Sequence, residues 1–423
     1  MKVRRVRIEK LAPTGEGVVR GADGVGFVEG ALPGEEVEAA VLETRRSYWR
    51  GRTVEVLFAS ADRRLAPAGG CGGCDWAHYD PAAARRAKRE LFLETMERIG
   101  RLPPSVFGHL PVTVSPLGYR LRNRFHAAGR GETARLGAFA PRTHDVRDVT
   151  SCEALTAGTR GAVAEVERAL VRSPLAVSEL ATIEDREGER RVARVTVGEA
   201  TAGEKPGSLA SLAEGLSRHF QSVRFERKDG RRLHGVGVPR VTLRVEERSF
   251  SAAVDVFFQS NRFVVADLYR DVREAARALA PGAALDAFGG VGLFAGALLD
   301  AGHAVTSVEG DPAAGREASR TRAEWPEADR WRLVSTSVGA FLSRSPRFDL
   351  VVADPPRAGL GPLAAPLAAA AGQRLLYVSC EPPTLARDLP AILAGGFAIE
   401  NVRLYDMFPL THRVEALVAL RRQ

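Results

Sequence analysis

From about residue 252 to its end, the chain alternates short apolar runs with helical stretches, and this rhythm constrains the fold most. The runs are AALDAF, AVTSVEG, RLVST, FDLVVADPP and RLLYVSC; FAIENVRLYDMF and VEALVAL close the chain. Helices are expected over 291–301, 312–323, 361–372 and 383–394. Apolar strands that alternate with helices are covered on both faces, which predicts an α/β domain with a doubly wound, Rossmann-like sheet. No internal repeat interrupts the pattern.

Upstream the pattern differs. Residues 1–60 alternate apolar and polar positions in VRRVRIEKL, EGVVRG, GVGFVEG, EVEAAVLETRR and YWRGRTVEVL, with turn signals PTGEG, GADG and LPGEE between them. About five such strands suit a small barrel of the oligonucleotide-binding kind. Arg45, Arg46, Tyr48, Trp49, Arg50 and Arg52 read either as an exposed cluster that stacks bases and holds phosphates, or as two aromatic core residues among solvated arginines. A loop at 61–80 precedes a helix over roughly 81–99, and 110–250 reads as a mainly β insert rich in positive charge. Its strand signals are VARVTV, SVRFERKDGRRLHGVGV with KDG as the turn, and VTLRVEE. The expected domains are 1–60, 61–250 and 251–423, with part of 81–120 packing on the last.

A chain of 423 residues exceeds one ordinary core. Its net charge of +8 and pI near 9.7 favour a polyanionic partner, since Lys and Arg displace counterions from phosphates. Four cysteines are too few for a disulfide scaffold and are left for metal binding or catalysis. MKVRRVRIEK lacks the apolar centre of a signal peptide, and no stretch suits a bilayer. A cytoplasmic monomer is expected.

AALDAFGGVGLFAGALLDAG, residues 283–302, is a strand, a glycine turn and a helix. Gly289, Gly290 and Gly292 let backbone approach a ligand, and Glu309 follows Asp286 by 23 residues, where a carboxylate can accept from ribose hydroxyls. The pattern points to an adenosine-containing ligand and leaves NAD and S-adenosylmethionine open. In FDLVVADPPRAGL, prolines 355 and 356 stiffen the strand exit and hold Asp354 at the cleft.

RLLYVSC ends on Cys380, at the carboxyl end of a buried strand, and the helix expected to follow turns its N-terminus there, which favours thiolate. Beside an activated methyl group, a thiolate can add to C6 of a pyrimidine and make C5 nucleophilic. The C5 proton must then leave, which requires a base. Glu415, in DMFPLTHRVEALVAL, is the candidate.

The chain resembles the S-adenosylmethionine-dependent RNA 5-methyluridine methyltransferases, most closely the 23S ribosomal RNA enzymes that carry an N-terminal TRAM domain. The resemblance spans nearly the whole chain and rests on FFQSNR, DAFGGVGLF, VEGD, DPPRAGL, SCEPPTLARD and DMFPLTHRVE. It implies a class I methyltransferase domain behind a TRAM barrel and a mainly β central domain. It implies Cys380 as nucleophile, Glu415 as base, and Gln259, Phe288, Glu309 and Asp354 as cofactor contacts. Asp354 would lie between the cofactor and a uracil flipped out of RNA.

The chain departs from the family at three points. Glu381 stands where an Asn often follows the Ser-Cys pair, and Leu293 where a cofactor-binding Asn is frequent. Iron–sulfur members use four cysteine ligands; here Cys71, Cys74 and Cys152 match three, and RRLAPAGG lacks the first. Two alternatives remain open: the same chemistry on the T-loop uridine of transfer RNA, and a non-catalytic RNA-binding or ribosome-assembly protein. A nicotinamide oxidoreductase is opposed by Asp354-Pro355-Pro356 together with Cys380 and Glu415.

Overall fold

The computed structural model describes residues 2–21, 24–66, 71–173, 175–198, 208–235 and 238–423. The GADG turn, the RRLAPAGG loop and the end of the SVRFERKDGRRLHGVGV run lie partly outside these residues.

The first sheet has six strands, with Lys10–Leu11 a short strand beyond the expected five. Tyr48–Phe58 lies between Glu36–Thr44 and Gly24–Glu29, antiparallel to the first and parallel to the second. Strand alternation turns Trp49 inward with Ile8, Val28 and Val37, so Trp49 does not belong to an exposed cluster. Gly26 makes the room: a Cβ there would meet the indole at 2.3 Å. Arg45, Arg46 and Arg52 are exposed, and Arg50 lies 5.2 Å from the Phe27 ring centroid and 5.8 Å from that of Tyr48.

A seven-stranded sheet follows, centred on Arg122–Ala128, Val177–Glu184 and Arg191–Val197, with the helix Ala157–Val171 on its core. The hairpin Arg240–Val245 and Arg248–Ala253 buries Leu243, Val245 and Phe250 in the core of the next sheet instead.

That next sheet has eight strands. In chain order they are β1 (Val112–Thr113), β2 (Ala283–Ala287), β3 (Ala304–Glu309), β4 (Trp331–Ser335), β5 (Phe348–Ala353), β6 (Ala371–Ser379), β7 (Phe397–Tyr405) and β8 (Glu415–Arg422). Their spatial order is β4-β3-β2-β5-β6-β8-β7-β1. β4 to β6 run parallel, and β8 is antiparallel to both neighbours. The order reverses between β2 and β5, where ligands bind in open α/β sheets.

Four helices position the site: α1 (Pro81–Arg98), α2 (Leu293–Asp300), α3 (Pro312–Ala323) and α4 (Pro382–Ala394). α1 starts on Asp80, whose carboxylate accepts from the Ala82 and Ala83 amides. Its Phe92 and Met96 join the core under β5, β6 and β8. The helix expected over 361–372 spans only Ala364–Ala370, because Gly361–Leu363 forms a tighter turn and Ala371 already opens β6.

Candidate active site

β2 ends at Ala287, and the chain turns sharply into α2. Phe288 takes φ +65, a left-handed conformation that costs a non-glycine residue on the order of 1 kcal/mol. Gly292, at φ +97, caps α2, and a Cβ there would strike the Trp331 ring at 2.3 Å. The Glu309 carboxylate, at the end of β3, ties the turn to the start of α3: Gly290 N donates to its Oε2 at 2.8 Å, and Asp311 N to its Oε1 at 2.6 Å. Below it lies Asp286, completely buried; Ser307 donates to Oδ2 at 3.1 Å, while Oδ1 has no well-formed hydrogen bond among the described residues. Burial pushes Asp286 up to about 7, against the Ser307 hydrogen bond, with Asp354 and Glu309 adding to the rise. An open groove of about 720 Å³ runs past Gly290, Ser307, Glu309, Arg316, Leu333 and Ser335.

One strand across, Asp354 follows β5, and Gln259 Nε2 donates to its Oδ2 at 2.8 Å. Burial pushes Asp354 up to about 7 against that hydrogen bond. The loop behind it is pinned by Asp388 of α4, which accepts from the Leu360 amide at 2.6 Å and the Tyr377 hydroxyl at 2.8 Å.

Cys380 follows β6, and Glu415 opens the adjacent β8, where Ser379 pairs with Ala416. Glu415 is 2% exposed; burial first, then Asp354, hold its carboxyl well above the ordinary range, while Arg357 pulls it down. The Cys380 thiol is pushed up to about 12 by burial, then by Glu415 and Asp354, with Glu381 adding and Arg357 opposing. The sequence favoured thiolate here from the N-terminus of α4. Burial among carboxylates outweighs that partial charge, so the resting sulfur holds its proton. Glu381 also bonds Arg413 at 3.1 Å.

Three site residues expected from sequence thus meet at neighbouring strand ends, Asp354, Cys380 and Glu415, and Gln259 joins them from a loop through its bond to Asp354. Phe288 and Glu309 lie at the adjoining glycine turn.

Sequence comparison decides the family. A sequence model described as tRNA (uracil-5-)-methyltransferase matches residues 339–423, and the TRAM domain model matches 1–54. A 23S rRNA (uracil(1939)-C(5))-methyltransferase of Chromohalobacter salexigens is 32% identical, over 98% of this chain and 88% of its own. An uncharacterized RNA methyltransferase of Streptomyces avermitilis is 33% identical, over 98% and 97%.

The chain belongs to the RNA uracil-5 methyltransferases.

The fold agrees. The structure of the Pyrococcus abyssi tRNA (uracil-54, C5)-methyltransferase in complex with S-adenosyl-L-homocysteine matches 99% of this chain and all of its own, with TM-score 0.75 and 22% identity. The methyltransferase is an enzyme that uses S-adenosylmethionine. The residues here fit that cofactor. The open backbone at Gly290, where an added Cβ would meet nothing, and the Glu309 carboxylate beside the groove supply what a cationic adenosyl ligand needs.

The methyltransferase's remaining cysteines lie elsewhere. The Cys74 and Cys152 thiols share a hydrogen bond, which lowers Cys152 and raises Cys74; Cys71 and the half-buried Arg120 stand near them. Among the described residues no group of three or more His, Cys, Asp or Glu is arranged to hold a metal ion. The fourth cysteine of the chain is Cys380, at the end of β6. The donor set does not fit a four-thiolate iron–sulfur cluster.

Sequence reading passed over Asp286, Asp388 and Lys88. Asp286 stands at the glycine turn, where its position was itself a signal. Lys88 sits in the basic stretch RRAKRE, which reads as solvated surface, yet it is 1% exposed.

Proposed function

We propose that this enzyme methylates C5 of a uridine in 23S ribosomal RNA, with Cys380 as nucleophile and Glu415 as base. The ribosomal substrate is supported by the 32% identity to the Chromohalobacter salexigens enzyme, of which this chain covers 88%. Transfer RNA is the second reading, favoured by the description of the family that matches 339–423.

The observation that carries the chemistry is the pairing of strand ends that sets Cys380 beside Glu415, with Asp354 near both and Gln259 bonded to Asp354. The uracil enters flipped out of its RNA context. Cys380 releases its proton to solvent as its sulfur bonds to C6; the C5–C6 π electrons move toward O4, leaving C5 as an enolate carbon. When bound, S-adenosylmethionine supplies an electrophilic methyl group to C5. Glu415 then takes the C5 proton, and those electrons rebuild the C5–C6 bond as the sulfur departs. Asp354, held by Gln259, hydrogen-bonds the base edge. Gln259, Phe288, Glu309 and Asp354 line the cofactor's place, and Asp286 joins them. An iron–sulfur cluster has no part in these steps.

The proposed domains are a TRAM-like RNA-binding unit at 1–60, a central unit at 61–250 and the methyltransferase unit at 251–423. The β1 strand and the α1 side chains in the large core support packing of 81–113 on the last unit. Action on ribosomal RNA makes the cytoplasm its place of work. No helix among the described residues is long and apolar enough to cross a membrane.

The test is mass spectrometry of 23S and transfer RNA from cells with and without the gene, repeated with Cys380→Ala restored. Loss of one 5-methyluridine from 23S rRNA, rescued by the parent and not by Cys380→Ala, is expected. Loss from transfer RNA alone selects the second reading.

A further inference from the structure

Lys88 lies in the middle of α1, 1% exposed, and its ammonium serves one segment. Nζ donates to Asp406 Oδ1 at 2.5 Å and to the Phe408 carbonyl at 3.0 Å. Asp406 is itself 4% exposed. Taking two charges out of water is expensive, and such a pair is better at fixing a geometry than at adding stability.

What it fixes is the connection between β7 and β8. Residues 406–414 form no regular secondary structure, and beyond the Asp406 amide, which donates to the Thr113 carbonyl at 2.9 Å, no strand ladder sets their path. Asp406 follows Tyr405, and Tyr405 pairs directly with Glu415. The segment leaves the sheet at one end of that pair and returns at the other. It is clamped along its length: Asn261 Nδ2 donates to the Met407 carbonyl at 2.9 Å, the Trp76 amide to the Leu410 carbonyl at 2.9 Å, and Asp75 meets His412 at 2.5 Å. Lys88 is the clamp with a buried charge, and it holds the end next to Tyr405. It also lines a cavity of about 20 Å³ with Phe92, Cys380, Glu381 and His412.

We propose that Lys88 is a positioning residue for proton removal: by holding Asp406 and the Phe408 carbonyl, it fixes residues 406–414 so that Glu415 faces the C5 proton. This rests on the assignment of Cys380 and Glu415 above. Lys88 touches no reacting atom. Its loss therefore slows the last step and spares the first two.

RNA containing 5-fluorouracil separates the steps. Fluorine at C5 cannot leave as the proton does, so the sulfur–C6 bond persists once methyl transfer is complete. Adduct formation on this RNA reads thiol attack and methyl transfer without Glu415. For Lys88→Met, adduct formation on fluorinated RNA is expected within about threefold of the parent enzyme, while turnover on uridine RNA falls about tenfold or more and adduct accumulates. Lys88→Arg, which keeps the charge, is expected to recover part of the turnover. Lys88→Met leaves Asp406 buried and unpaired, so the double variant Lys88→Met/Asp406→Leu, which removes both charges, is measured beside it with thermal melts as the check on folding. The double variant is expected to show the same split. Parallel loss of both rates in the folded double variant, or unchanged turnover, overturns the proposal. Glu415→Gln run alongside separates the two failures. If it also lacks the split, the base assignment has failed; if it shows the split and the Lys88 variants do not, only the role of Lys88 has failed.

Discussion

Glu381 and Arg413 form an ion pair of 3.1 Å, and each stands within two residues of a group assigned to the chemistry. Glu381 follows Cys380, and Arg413 precedes Glu415 by two. Glu381 adds to the negative field that raises the thiol. Removing that charge with Glu381→Gln lowers the Cys380 pKa; Arg413→Gln exposes the charge and raises it. Alkylation of Cys380 at pH 8, followed by peptide mass spectrometry, is expected to run about two- to tenfold faster in the first variant and slower in the second.

The parent enzyme carries its own signature. With Cys380 pushed up to about 12, the free thiol is protonated at neutral pH. Its alkylation in the absence of cofactor is expected to rise about tenfold per pH unit from 7 to 9, without a plateau. Cys152, lowered by its bond to Cys74, is expected to react first.

Asp286 and Asp354 both titrate near 7. Each raised carboxyl is neutral below that value and an anion above it. A sulfonium cation gains from the anions; a thioether does not. Calorimetry is expected to show S-adenosylmethionine binding about tenfold tighter at pH 8 than at pH 6, with S-adenosyl-L-homocysteine changing far less.

Gly292→Ala places a methyl group 2.3 Å from the Trp331 ring at φ +97. Strain and overpacking together are expected to cost about 2–4 kcal/mol in urea denaturation and to abolish cofactor binding.

The parts of this site legible in the sequence are those that local pattern fixes. The apolar run ending at Cys380 marks a strand terminus, and the glycine turn at 289–292 marks the crossover; both signals sit within one strand and one turn. What escaped depends on partners far along the chain. The protonated state of Cys380 comes first from its burial and then from Glu415, 35 residues on by number, brought to it by β6–β8 pairing that no local signal reports. Lys88 looks like surface until Asp406, 318 residues away, is brought to it. Trp49 in a run of arginines reads equally as exposed or as core, and only the glycine at 26 on the parallel neighbour reveals the slot it fills.

The central claim is covalent bonding between Cys380 and the uracil ring. Glu415→Gln, incubated with 23S ribosomal RNA and S-adenosylmethionine, then denatured and digested, tests it most directly. The account predicts a methylated uridine fragment attached to the peptide that contains Cys380. A fragment attached to another cysteine, or no attached nucleotide although methyl groups reach the RNA, would contradict it.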